Sequence, residues 1–173
     1  MLGITPFGWV HTLVSLAGLL FGLAALLGSG RISQYSPAGK LFIWLTVASC
    51  ISGFFIFSQG RFNEAHALGA LTLLTLAAAF WLERVSFKRW AAYVSTALYT
   101  LALFFHFIPG FTESLTRLPA GNPLAQGPQD PLVKGAIGAS FLVYLVVVVI
   151  QIVGLRSSYR KAAPLANKSP AQF

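Results

Sequence analysis

Acidic side chains are nearly missing from this chain: Asp and Glu together number 4 among 173 residues, and charged residues of either sign make up 9%. A soluble domain carries roughly a quarter charged residues, so a water-facing globular surface is excluded. Cysteine occurs once, as Cys50, and no internal disulfide, CxxC motif or thiolate cluster can be built from it. HExxH, Walker and GxGxxG spacings are also missing, which removes the short motifs of metalloproteases and nucleotide-binding loops. Residues 1–6 hold no Lys or Arg. A cleaved secretory signal opens on positive charge, so the first apolar run reads as a retained helix.

What is abundant is apolar sequence, 56% of the chain, with a mean hydropathy of +0.73. Five runs approach or exceed the roughly 20 residues needed to cross a bilayer: about 7–29, 40–59, 64–82, 90–111 and 133–155. The expected fold is therefore all-α, a polytopic bundle of five transmembrane helices filling residues 1–155. The run Val146 to Ile150 favours strand by propensity. Inside a span, an open sheet edge would leave backbone groups unsatisfied, and helix is expected there instead.

The net charge of +8 would suggest nucleic acid in a soluble protein. Here the cations sit in short connections, so topology explains them and no nucleic-acid partner is expected. With the N-terminus outside, the inner side receives Arg31, Lys40, Arg84, Lys88, Arg89, Arg156, Arg160, Lys161 and Lys168, against Arg61, Arg117 and Lys134 outside. That is the positive-inside pattern, with a cytoplasmic C-terminus. Trp44, Trp81 and Trp90 then mark the inner interface and Trp9 the outer one. Residues 156–173, basic and broken by Pro164 and Pro170, read as a disordered cytoplasmic tail weakly attracted to anionic lipid. The longest connection, 112–132, carries Pro119, Pro123, Pro128 and Pro131 and faces outward as a cover or linker; helix four is allowed to run past Pro109 toward Arg117.

Ionisable groups inside a span are functional candidates by default. His11, His66 and His106 fall at similar depth in the outer half of helices one, three and four. His11 shares a stripe with Ser15, Gly18, Gly22, Ala25 and Ser29. Gly18 and Gly22 form a GxxxG surface suited to close helix packing, on a partner subunit or a second copy. His66 shares a stripe with Asn63, Ala70, Leu73 and Ala77, and His106 with Ser95, Tyr99, Ala102, Pro109 and Glu113. Each imidazole lies on the small or polar face of its helix, so convergence inside the bundle is expected. Glu64, Glu113, Asn63 and Tyr99 are placed to orient the rings.

Two ligand chemistries suit such rings. A pair ligates a b-type haem between helices, or all three hold zinc or copper with a fourth position open. The leading expectation is an outer-leaflet site, His11, His66 and His106, that binds haem or a metal ion for electron transfer. The alternatives are a non-catalytic accessory or scaffold subunit and a metal-dependent membrane hydrolase. Ordinary interhelical hydrogen bonding competes with the ligand readings for every histidine. The hydroxyl-rich helix two, with Thr46, Ser49, Cys50, Ser52 and Gly53, is expected to pack or to line a pathway.

The runs Trp9-Val10-His11, Gly39-Lys40, Gly60-Arg61-Phe62 with His66 and Gly69, and Phe105-His106-Phe107-Ile108-Pro109-Gly110 through Arg117-Leu118-Pro119 resemble bacterial integral membrane protein families of unassigned function. The resemblance implies a bacterial cytoplasmic membrane and a five-helix fold, and supplies no activity. Those families often carry a His-Arg pair after helix one, where this chain has Ser33-Gln34-Tyr35-Ser36-Pro37. A looser likeness to small b-type cytochromes rests on intramembrane histidines alone.

Overall fold

The structure, a computed structural model, describes residues 5–56, 63–85 and 88–166, with side chains as far as residue 161. Arg61, part of Gly60-Arg61-Phe62, and Lys168 lie outside the described residues. Five helices follow one another, α1 (Pro6–Ser29), α2 (Pro37–Gly53), α3 (Glu64–Val85), α4 (Arg89–Arg117) and α5 (Pro131–Ala166), and the described residues contain no strand. Val146 to Ile150 are helical.

Local chemistry sets the helix ends. The Thr5 hydroxyl accepts the Gly8 N–H at 3.1 Å and Pro6 opens α1, a position where its missing N–H costs nothing. Gly30 closes it at φ 71°, returning its N–H to the Leu26 carbonyl, a left-handed cap that favours glycine. Ser36 caps α2 in the same way through the Gly39 N–H at 3.1 Å, with Pro37 as the first helical residue. At the start of α5, Asp130 accepts the Leu132 N–H at 2.9 Å and the Gln126 N–H at 3.0 Å. These two bonds hold its carboxyl below the usual carboxylate range.

Several boundaries differ from the sequence expectation. Helix two begins earlier than residue 40, because the Ser36-Pro37 start precedes the apolar run. It also stops at Gly53, before the 59 expected, where the Phe54 N–H closes on Cys50 and Ile51 and a turn follows. At 17 residues it rises only about 25 Å, short of the hydrocarbon thickness of about 30 Å. Among the described residues four helices, α1, α3, α4 and α5, are long and apolar enough to cross a membrane, and α2 is the short one of the five helices.

Helix four does pass Pro109 and ends at Arg117. The Thr112 hydroxyl donates to the Ile108 carbonyl at 2.8 Å, Thr116 donates to Thr112, and Glu113 pairs with Arg117. The connection between α4 and α5 is correspondingly shorter than 112–132. Helix five continues past 155 into the segment expected to be disordered: hydropathy falls there, but Arg, Lys and Ala are good helix formers. Tyr159 meets Tyr93 edge-on at 6.0 Å and Arg89 lies over the Tyr159 ring at 5.3 Å. Residues 167–173 lie outside the described residues.

Helix α1 packs mainly on α2, α3 on α4, and α5 mainly on α4. The core gathers Ala25, Ile32, Phe42, Ile43, Leu76, Ala79, Tyr99, Ala102 and Leu103. The glycine pair expected to recruit another chain is buried inside the bundle. A Cβ on Gly18 would lie 3.4 Å from Leu45 of α2, and one on Gly22 would lie 2.8 Å from Phe42 and 2.6 Å from Leu103. The exposed apolar surface lies elsewhere, above all on α5, and suits lipid.

Candidate functional site

Helices α1, α2, α3 and α4 surround a cavity of about 90 Å³ lined by His11, Ser15, Thr46, Ser49, Cys50, Gly53, Leu68, Gly69, Thr72, Phe105, His106 and Pro109. At roughly 30 Å³ per molecule it has room for about three waters. Its polarity comes from helix geometry. His11 and Ser15 are one turn apart on α1; Thr46, Ser49 and Gly53 repeat at three- and four-residue steps on α2; Phe105, His106 and Pro109 follow on α4.

The two imidazoles of the cavity bind helices to one another. His11 Nδ1 is 2.9 Å from the Ser52 hydroxyl, joining α1 to α2. His106 Nε2 is 2.9 Å from the Thr46 hydroxyl, and its Nδ1 is 3.4 Å from the Ser15 hydroxyl, joining α4 to α2 and, more weakly, to α1. The Thr46 and Ser15 hydroxyls can donate or accept, so either tautomer of His106 is accommodated, whereas Ser52 donates its proton elsewhere and accepts from His11 Nδ1–H. Ser52 is fixed in turn by donating to the Ser49 carbonyl at 3.0 Å. The Phe42 ring tilts against His106 at 5.9 Å.

His66 is buried but does not line the cavity. Its Nδ1 is 2.8 Å from Asn63 Oδ1, which also accepts the Ala65 N–H, and its ring stands 6.2 Å from Phe54. His66 therefore belongs to the capped start of α3 and to the Phe54 turn after α2. The structure brings His11 and His106 to one cavity and leaves His66 outside it. Asn63 contacts His66. Glu113 pairs with Arg117 and Glu64 is exposed in the first turn of α3. Tyr99 is fully buried in the core, with Glu83 and Tyr35 as its electrostatic neighbours, two turns from His106.

Among the described residues no group of three or more His, Cys, Asp or Glu side chains is disposed to hold a metal ion. The cavity as folded has room for water or an ion. The residues overlooked as site members are those of α2, Thr46, Ser49, Cys50 and Ser52. Their signal was present in the run of small hydroxyl and thiol side chains, which is the same signal that ordinary packing gives.

A second polar cluster lies at the other end of the bundle. The Glu83 carboxylate on α3 accepts the Ser33 hydroxyl at 2.5 Å and the Gln34 N–H at 3.0 Å, while the Gln34 side-chain amide donates to the Phe80 carbonyl at 3.0 Å. Ser33 and Gln34 are both buried. The α1–α2 connection is thus tied to the last turns of α3, an arrangement that no short motif announces.

Comparison with protein-family models, curated proteins and solved structures gives no match to the chain. The functional reading rests on the geometry alone.

Proposed function

We propose that this chain is a multi-pass protein of the bacterial cytoplasmic membrane, N-terminus outside, that serves as a non-catalytic accessory or scaffold subunit whose histidines lock the bundle. The observation that carries this reading is the bonding of His11 and His106. Their ring contacts are to hydroxyls of Ser52, Thr46 and Ser15 on neighbouring helices, which is how polar side chains join helices in a bilayer. Orientation is supported by charge. Among the described residues Arg31, Lys40, Arg84, Lys88, Arg89, Arg156, Arg160 and Lys161 flank one end of the bundle, and Arg117 and Lys134 the other, as the positive-inside rule requires.

The cavity favours a second reading, in which His11 and His106 hold one copper ion, with Cys50 and cavity water nearby, for electron transfer, or one zinc ion in a structural role. Metal analysis and optical spectra of the purified protein decide between them. The scaffold reading expects no stoichiometric metal and no Soret band, partial recovery of stability in His106→Gln relative to His106→Ala, and native assemblies heavier than the 18.6 kDa chain. One ion per chain, or haem absorption, lost in both His11→Ala and His106→Ala would overturn it.

A further inference from the structure

A pocket of about 250 Å³ opens where the α1–α2 connection, α2 and the end of α3 meet, lined by Gln34, Tyr35, Lys40, Ile43, Trp44, Phe80 and Arg84. It is the opposite end of the bundle from the histidine cavity. Lys40 and Arg84 enter it from different helices, and among the described residues neither forms an ion pair with an acid. The adjacent acid is already occupied, since Glu83 is held by Ser33 and Gln34. Two cations thus line one pocket without an ion-pair partner among the described residues, the nearby Glu83 charge being bonded to Ser33 and Gln34.

The pocket also has a definite level. Trp44 lines it and is 64% exposed, and Trp81 and Trp90, at 62% and 52%, ring the same end of the bundle. Exposed tryptophans gather where acyl chains meet headgroups. A guanidinium grips phosphate oxygens in pairs, a lysine adds a point charge, and an indole N–H or phenol at the rim donates further. The half-buried Phe80 and the exposed Trp44 line the pocket, and Leu41 beside Lys40 is exposed, giving apolar surface against which acyl chains can lie.

We infer that this pocket holds the phosphate group of an anionic phospholipid, with Arg84 and Lys40 as its cationic contacts and Trp44 at the acyl boundary. The inference requires the bundle to lie in a bilayer and is independent of the scaffold role. Basic pockets between helices at a membrane face bind anionic headgroups for this reason.

The test is native mass spectrometry of the full chain with phosphatidylglycerol, with phosphatidylcholine, or with inorganic phosphate alone. Wild type is expected to retain one phosphatidylglycerol with about tenfold preference over phosphatidylcholine, near the effect of one to two interfacial cations. The double substitution Lys40→Gln with Arg84→Gln should abolish that preference, whereas Lys40→Arg with Arg84→Lys should keep most of it. Arg156→Gln with Arg160→Gln removes equal charge from the same end and should leave binding intact. Equal loss in that control would overturn the site in favour of diffuse attraction. Phosphate alone binding with the same dependence on Lys40 and Arg84, and displacing the lipid at millimolar concentration, would overturn the lipid as its source.

Discussion

At Gly39 an added methyl group would overlap the Ser33 backbone carbonyl and approach the Ser36 hydroxyl at 2.7 Å. Neither can retreat without undoing the cap of α2, so Gly39→Ala is expected to destabilise the protein by about 2–3 kcal/mol, the range for forced overpacking. Gly22→Ala meets Phe42 and the tip of Leu103; the leucine can swing aside but the buried ring cannot, and a loss of about 1–2 kcal/mol follows. Gly18→Ala meets only ordinary contacts at 3.4 Å or more and should be neutral, or stabilising by up to about 0.5–1 kcal/mol through helix propensity. Thermal unfolding in detergent ranks the three. At the cavity, Thr46→Val removes the hydroxyl beside His106 and should cost about 0.6 kcal/mol, the average for such bonds in membrane bundles. Asp130 gives a pH dependence. Its pKa is lowered in the folded state by the Gln126 and Leu132 amides, so its contribution is complete above the unfolded carboxylate value and disappears as pH falls through the folded one. Amide exchange at Gln126 and Leu132, corrected for intrinsic rates, should therefore accelerate on acidification, and Asp130→Ala should remove the change.

Among the elements, α5 is held by a polar link through Gln151 as well as by apolar packing. Gln151 accepts the Thr100 hydroxyl at 2.9 Å and donates to the Gly30 carbonyl at 3.0 Å, joining α5 to α4 and to the end of α1. Gln151→Leu removes the donor to the Gly30 carbonyl while Thr100 keeps its bond to the Thr96 carbonyl at 3.0 Å, and should cost about 1 kcal/mol, with earlier proteolysis of α5 as the readout. The sequence stripe that placed Ser95, Tyr99, Ala102 and His106 on one face of α4 matches the observed packing, in which the first three are buried and His106 lines the cavity. On α3 the buried face runs through His66, Thr72, Leu76 and Ala79, and Ala77, placed inward by the sequence stripe, is exposed. A seven-residue step drifts by about 20° on a straight helix, enough to choose between adjacent positions when most candidates are apolar or small. Gln151 was not legible at all, because one amide in an apolar run names no partner.

For the whole molecule, apolar runs and their polar connections were enough to give the number and order of helices, since a bilayer leaves few alternatives. The meeting of His11 with His106, and the separation of His66 from both, depended on how four helices rotate about their axes, which no single run encodes. Topology is tested by alkaline phosphatase fusions: activity is expected for a fusion in the connection 118–130 and none for one after residue 161. The short α2 has a consequence for the surrounding membrane. As one of the five spans of the proposed topology, a helix of this length beside longer neighbours leaves the lipid on its flank too thick for it, so the bilayer would pinch locally or the chain would lean. Reconstitution into short-chain lipid should relieve that mismatch and raise the unfolding temperature, making membrane thickness a control on stability that acts from one side of the protein.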